Sequence, residues 1–549
     1  MTEKTQTGRK RAIFIIAPAI MVLLVCLTFV ITYRKYIPID YNNLGGANCW
    51  LTGSMIKFVN NWFYDGVKED RFTSYESFRS IEHPDALSRT PYLSYPPGNV
   101  MLVYLCTKAT GKNHVFVSGV KRVATLLFLL EAAMVSLFVY FFLRAERFHL
   151  SEAPVRRAVL GYLTAAVWSL VPVNAWYMVN TFFSDQIVLF FIILVSLLEY
   201  LCITKKKPVI RTVELILFVC GMMTDYFFWI FLFFLFVFQL LRDILGHKGT
   251  KKTIGNALCY ILPVGLSVSL FVWQLQYTDN FLAFLKERFT VRVSSLDEQG
   301  QGAMIGILNN MANSLFGGWK PLMFVFLGLW TVMIILVIVL LLKGKVKDFF
   351  ADNEISLLSC VWVAAIAQIL IFRNHSAQHE FSMLKVGLLF VGTILLFTMI
   401  LGKIFDRKNT HTMVWLLLSL VIFGAFIRFP YGAKAFVRIR DEKWGYDVER
   451  VLYETAEFDE VYFSFTYSIP INPPTKLAMA EKEVYLIDSV NEIDELFPDL
   501  DPKARQVLLI DKEAEAKSDA IRAKEKDIMD AGTVKYEDDR VILVYMNKP

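Results

Sequence analysis

The chain has 549 residues, 55% of them hydrophobic and 15% aromatic, and a mean hydropathy of +0.45. A soluble protein of that size would leave far too much apolar surface in water, so the bulk of the chain belongs in lipid. The formal net charge of +6 sits in clusters between apolar runs, which points to membrane topology and away from nucleic acid.

About 20 apolar residues cross a bilayer as a helix. Runs of that kind are read at 12–33, 119–143, 158–179, 183–202, 213–224, 226–241, 256–276, 321–342, 355–372, 384–402 and 412–429, eleven in all. The first, "AIFIIAPAIMVLLVCLTFVITY", is too long for a signal-peptide core and is read as a retained span. The fifth and sixth are too short to cross alone and meet at "MTDYFFW", which predicts a bent pair.

Basic clusters orient the bundle. "GRKRA" precedes the first span, Arg144, Arg147, Arg156 and Arg157 follow the second, and Lys205, Lys206, Lys207 and Arg211 follow the fourth. Lys248, Lys251 and Lys252 follow the sixth, Lys343, Lys345 and Lys347 the eighth, and Arg407 and Lys408 the tenth. All fall on one side if the spans alternate, so the N-terminus is expected in the cytoplasm. The loop 34–118 and everything after 429 are then expected outside.

The same topology gathers the candidate site residues on the outer face, although none was used to derive it. Asp40 follows the first span in "YIPIDYNNLGG", and His83 precedes the proline motif "SYPPGN" that holds Tyr95, Pro96 and Pro97. Asp185 opens the fourth span in "NTFFSDQ", Asp225 sits between the fifth and sixth, and "RNHSAQHEF" supplies Arg373, His375, His379 and Glu380. Acids at membrane depth are costly and mark function. Each also has a plainer role: Asp185 as a helix cap, Asp225 as a turn residue, and the His375/His379 pair as hydrogen-bonded structural groups. In "SYPPGN" the prolines hold Tyr95 extended, while Gly98 lets the chain turn closely into the next helix. The stretch 277–319 reads as an amphipathic segment followed by a polar, glycine-containing one, either a lid over the site or an interfacial linker.

Beyond 429 the character changes. "EVYFSF", "EVYLID", "QVLLID" and "RVILVYM" read as strands between the helical patterns "WGYDVERVLYETA" and "AEAKSDAIRAKEKDIMDA". The organisation expected is a membrane domain over 1–429 and a small extracytoplasmic α/β domain over 430–549.

With the first loop, "SYPPGN", "NTFFSDQ" and "MTDYFFW" in these places, the chain resembles the GT-C superfamily, multi-span glycosyltransferases that use polyprenyl- or dolichyl-phosphate sugars. The resemblance is to the protein O-mannosyltransferase and aminoarabinose-transferase branch, over roughly residues 10–430. It implies Asp40 as catalytic base, Tyr95, Pro96 and Pro97 as the motif of the first loop, and Asp185 as the second acid. It implies a polyprenyl-phosphate sugar donor, a lipid, protein or glycan acceptor, and an inverted product. The family's turn often carries a lysine where this chain has Asp225, so donor phosphate is expected at Arg373, His375 and His379, with Lys320 or Lys385 as further cations. Asp40 and Asp185 also suit a hard divalent cation, magnesium or manganese, whereas the mannosyltransferase branch implies none; both alternatives stay open. A lipid-linked-sugar flippase would need polar residues on both sides of the bundle, and a scaffold displaying the tail would not need these acids together. The C-terminal "YMNKP" has no retrieval signal, so a prokaryotic plasma membrane is the expected location.

Overall fold

The computed structural model describes residues 3–36, 50–77, 80–81, 83, 89, 91–144, 153–205, 208–247, 249–275, 281–293, 302–344, 353–405, 446–466, 482–498, 500–514 and 517–546. Asp40 and the expected span 412–429 lie outside the described residues.

The membrane part is built from helices α1 (Glu3–Tyr36), α2 (Trp50–Asp65), α3 (Gly98–Ala109), α4 (Val117–Phe142), α5 (Pro154–Leu170), α6 (Pro172–Asn180), α7 (Ser184–Lys205) and α8 (Pro208–Met222). It continues through α9 (Tyr226–Leu245), α10 (Thr250–Leu275), α11 (Phe281–Val293), α12 (Ala303–Asn310), α13 (Lys320–Leu342), α14 (Asn353–Ile371), α15 (Arg373–Gln378) and α16 (Leu384–Phe405). Among the described residues eight helices are long and apolar enough to cross a bilayer: α1, α4, α7, α9, α10, α13, α14 and α16. At 15 residues α8 is shorter than a full crossing, as its length in the sequence suggests.

One expected crossing takes a different form. The run 158–179 is a pair of helices, α5 and α6, bent by 71°. Pro172 has no N–H to continue the ladder of α5, and it pushes the preceding Val171 to φ −56°, ψ 128°. Hydropathy cannot register that break, because both sides of it are apolar. All nine residues of α6 are buried, so it forms an internal floor away from lipid.

Burial grades the spans from periphery to centre. Only 17% of the apolar window of α1 is buried, against 87% for the window that contains α16. The exposed Ile15, Ile16, Leu23 and Ile31 of α1 therefore face acyl chains, while α16 is the central post. At the other end of α7, Arg211 pairs with Glu199 at 2.8 Å and Glu214 at 2.6 Å, a buried ion cluster that ties α7 to α8.

The tail adds α17 (Tyr446–Thr455), α18 (Glu492–Leu496) and α19 (Asp519–Ala531) to strands β1 (Glu460–Phe465), β2 (Val484–Ile487), β3 (Arg505–Asp511), β4 (Thr533–Glu537) and β5 (Val541–Tyr545). The sheet order is β2-β1-β3-β5-β4, with β1 parallel to β2 and β3, and β5 antiparallel to β3 and β4. Both faces are covered, because alternate residues point to opposite sides. Tyr462, Val507, Leu509, Val541 and Leu543 meet Val448, Val451 and Leu452 of α17 on one face. Val461, Phe463, Phe465, Leu508, Ile510, Ile542 and Val544 line the other. The expected strands are present. Strand β4 is additional to them, because "TVKYE" is a largely exposed edge with little apolar signal.

The tail rests on the first loop. Ile81 packs into its second core, His83 Nε2 lies 3.8 Å from Glu483 Oε2, and the rings of His114 and Tyr453 are 5.2 Å apart.

Candidate active site

Lys385 is the second residue of the central helix α16 and is 1% exposed. Its Nζ lies 3.0 Å from Asp185 Oδ1, in the first turn of α7, and 3.1 and 3.0 Å from the two carboxylate oxygens of Asp225. Asp225 fills two roles. It caps α9, accepting from the backbone N of Phe227 at 2.7 Å, and it holds the ammonium. Removing one partner from such a buried cluster typically costs about 3–5 kcal/mol, because it strands an uncompensated charge.

Beside this trio stands Tyr95, 9% exposed. Its ring packs against Phe183 and Tyr226, with centroids 5.8 and 6.2 Å away. The Arg292 guanidinium sits 4.7 Å from the ring centroid and the Lys385 ammonium 5.9 Å from it, so two cations flank one phenol. Arg292 also donates from Nη1 to the carbonyl of Ser94 at 3.1 Å. The proline motif is joined to the α8–α9 turn: the Gly98 N–H donates to the Met223 carbonyl at 2.6 Å. A Cβ at Gly98 would lie 2.5 Å from that oxygen, so only glycine permits the approach. The prolines and Gly98 thus start α3 and also bring Tyr95 against the turn that carries Asp225.

The histidine pair forms the next wall. His375 Nε2 is 3.5 Å from the Tyr95 hydroxyl, and the rings of His375 and His379 are 4.6 Å apart. Burial first, and then the nearby His379, Arg292 and Lys385, hold the basicity of His375 well below its ordinary value. His375 is therefore a neutral hydrogen-bonding group. Burial likewise keeps the Tyr95 phenol protonated. Glu380 accepts from the Tyr177 hydroxyl of α6 at 3.5 Å.

The sequence-predicted residues separate into two groups. Tyr95, Asp185, Asp225 and His375 come together around Lys385, with Pro96 and Pro97 in the adjoining chain, while His379 packs beside His375 and Glu380 turns to Tyr177. Arg373 is exposed and donates from Nε to the carbonyl of Val293 at 3.0 Å, while Asn374 Nδ2 donates to Val291 at 2.8 Å. The two residues pin the last turn of α11, whose carbonyls have no helical partner, and so position Arg292. His83 is at the contact with the tail, and Lys320 is exposed at the start of α13. Arg292 is the residue that sequence reasoning missed. Its stretch, "ERFTVRV", reads as the polar side of an amphipathic helix, and only the tertiary docking of α11 carries it to Tyr95. Among the described residues no group of three or more His, Cys, Asp or Glu side chains is disposed to hold a metal ion.

No protein-family model matches the chain, and no curated protein matches it by sequence. Among solved structures, ArnT from Cupriavidus metallidurans bound to undecaprenyl phosphate is similar, with a TM-score of 0.56 and 12% identity, over 96% of this chain and 97% of that one. The archaeal oligosaccharyltransferase AglB from Archaeoglobus fulgidus, in complex with an inhibitory peptide and a dolichol-phosphate, is similar at a TM-score of 0.52 and 10% identity, over 92% of this chain and 70% of that one. The chain therefore shares the fold of these two structures over nearly all of its own length, while spanning 70% of the oligosaccharyltransferase chain.

Proposed function

We propose that this GT-C-fold membrane protein is a glycosyltransferase that moves a sugar from a polyprenyl-phosphate donor to an acceptor hydroxyl on the extracytoplasmic face. The observation that carries this reading is the cluster of Tyr95, Arg292, Lys385 and His375, in which two cations and an imidazole are set against one phenol by elements far apart in the chain. Its charges and donors match a departing phosphate, and the solved neighbours of this fold hold undecaprenyl phosphate and dolichol-phosphate.

In the reaction the acceptor O–H gives its proton to a carboxylate and its oxygen attacks the anomeric carbon. The bond from that carbon to the phosphate oxygen breaks on the opposite face, which inverts the centre. Asp40 is the base in this scheme, on the strength of the family resemblance. Arg292 supplies positive charge where the phosphate gathers negative charge, and His375, being neutral, can donate a hydrogen bond without adding charge. Asp185 and Asp225 hold Lys385 so that its ammonium faces Tyr95. The basic clusters assign the N-terminus to the cytoplasm and this pocket to the outer side.

The test is transfer from synthetic polyprenyl-phosphate sugars by purified protein in lipid nanodiscs. Asp40→Asn protein that is folded and inserted is expected to lose about 100-fold or more in turnover, the usual contribution of a general base. Near-normal turnover would remove Asp40 from that role. No transfer from hexose or pentose donors by the wild-type protein, with donor still moved across the bilayer of sealed proteoliposomes, would turn the reading to a flippase.

A further inference from the structure

We propose that the Lys385 ammonium is the resident cation of this pocket, occupying the place between two carboxylates that a divalent metal ion would otherwise take, so that the site works without one. The sequence leaves magnesium or manganese open with Asp40 and Asp185 as ligands, and of the two only Asp185 lies among the described residues. Asp185 would have to bind such an ion beside an ammonium already in contact with it, although neither of its buried carboxylate oxygens has a hydrogen-bond partner among the described residues. Its carboxylate is 3% exposed and faces Lys385 Nζ at 3.0 Å. The same nitrogen lies within 3.1 Å of both oxygens of Asp225, one of which also caps α9.

Two acids brought from separate elements to one point, in a water-poor interior, make the usual foundation of a hard-cation site. Here the point already carries a positive charge. The ammonium donates to both oxygens of Asp225 and stands 3.0 Å from one oxygen of Asp185 as an ion pair. Among the described residues at this point, Lys385 and Arg292 oppose Asp185 and Asp225 in charge. Nor does the lysine have an easy alternative position. It is 1% exposed on the most enclosed span of the bundle, with the ring centroids of Tyr95 and Phe227 at 5.9 and 5.8 Å. A divalent ion at the same acids would face an ammonium at bonding distance.

The difference between lysine and metal has a chemical consequence. A metal ion is exchangeable and makes activity depend on its supply, whereas a covalently attached ammonium is always present. It neutralises the acids and keeps positive charge at Tyr95 without any metal being recruited.

The inference rests on the transferase reading only for the use made of the charge, and its test reads metal binding directly. Full-length protein, stripped with EDTA, is titrated with Mn²⁺ and followed by electron paramagnetic resonance, and binding of undecaprenyl phosphate is followed by thermal shift. Wild-type protein is expected to show the same Mn²⁺ affinity as Asp185→Asn protein, and lipid-phosphate binding unchanged by chelation. Lys385→Ala protein is expected to gain one Mn²⁺ site, tighter than background by about tenfold or more, from the two uncovered carboxylates. The double variant Lys385→Ala/Asp185→Asn is expected to lose it. A wild-type Mn²⁺ site that disappears in Asp185→Asn, or a Lys385→Ala protein that folds and gains none, would overturn the proposal. If Lys385→Ala does not fold, the wild-type and Asp185→Asn comparison still decides. A masked metal site in a protein that transfers no sugar would count against the transferase reading alone.

Discussion

At the residue scale, two positions concentrate the demands of the pocket. Gly98 has a backbone carbonyl where any Cβ would sit, 2.5 Å away, and Thr224 Oγ1 at 2.9 Å. Gly98→Ala therefore has to push the 223–225 turn and move Asp225 off Lys385. A cost of about 1–3 kcal/mol is expected from the overpacking, read as a lowered midpoint of thermal unfolding together with lost transfer. Gly265→Ala, on α10 with nothing within 4 Å, should be neutral or slightly stabilising. The second position is His375, whose folded basicity lies well below the ordinary value of 6.5. The unfolded chain takes up a proton near that value and the folded chain does not. Stability from this residue is thus complete above about pH 6.5 and declines as the pH falls below it, by up to about 1.4 kcal/mol per pH unit. Unfolding midpoints of wild type and His375→Gln, measured from pH 7.5 to 5, should therefore converge at the acid end. Parallel curves would mean that the histidine is protonated in place.

At the element scale, the legible and the illegible can be told apart by cause. Asp185, Asp225 and the His375–Glu380 stretch could be assigned to one face because each lies at the end of an apolar run, and run ends are what hydropathy locates best. That Lys385 joins Asp185 to Asp225 could not be read, since a lysine one residue into an apolar run looks like an interfacial anchor. The break at Pro172 was visible as a proline but hidden by apolar residues on both sides. Helix α11 is the strongest case: its sequence shows amphipathicity, while its position depends on Asn374 and Arg373 reaching its final carbonyls. Asn374→Ala removes a buried donor from the Val291 carbonyl, and the lost bond is worth about 1 kcal/mol. Hydrogen exchange over residues 281–293 should speed up by roughly fivefold, the equivalent of that energy. The donor KM should rise while kcat changes less, because Arg292 keeps its chemistry and loses its fixed position. Unchanged exchange would show that α11 is held from elsewhere.

At the scale of the whole molecule, the tail and the first loop constrain each other. Ile81, His83 and His114 contact the tail through its second core, Glu483 and Tyr453. The charged trio of Lys385 lies at the end of α16 nearest these loops, and the Glu199–Arg211–Glu214 cluster lies at the far end of α7. Loop, pocket and tail must therefore share one side of the bilayer, whichever side that is. In the orientation proposed from the basic clusters, Lys343 at the end of α13 belongs to the positively charged, cytoplasmic face. Lys503 is exposed on the tail and Lys343 is exposed at the opposite pole. In intact cells, Lys503→Cys is expected to react with a membrane-impermeant maleimide above the background of the native thiols. Lys343→Cys should react only after the membrane is opened. Reversed labelling would put the pocket in the cytoplasm, where the acceptor and the carrier head would have to be cytoplasmic as well. Labelling of both in intact cells would put Lys343 on the same side as the tail and contradict the crossing of α13. The expected pattern leaves the carrier phosphate, the acceptor and the tail together on the outer surface, with α1 and the other peripheral spans serving as their anchor in lipid.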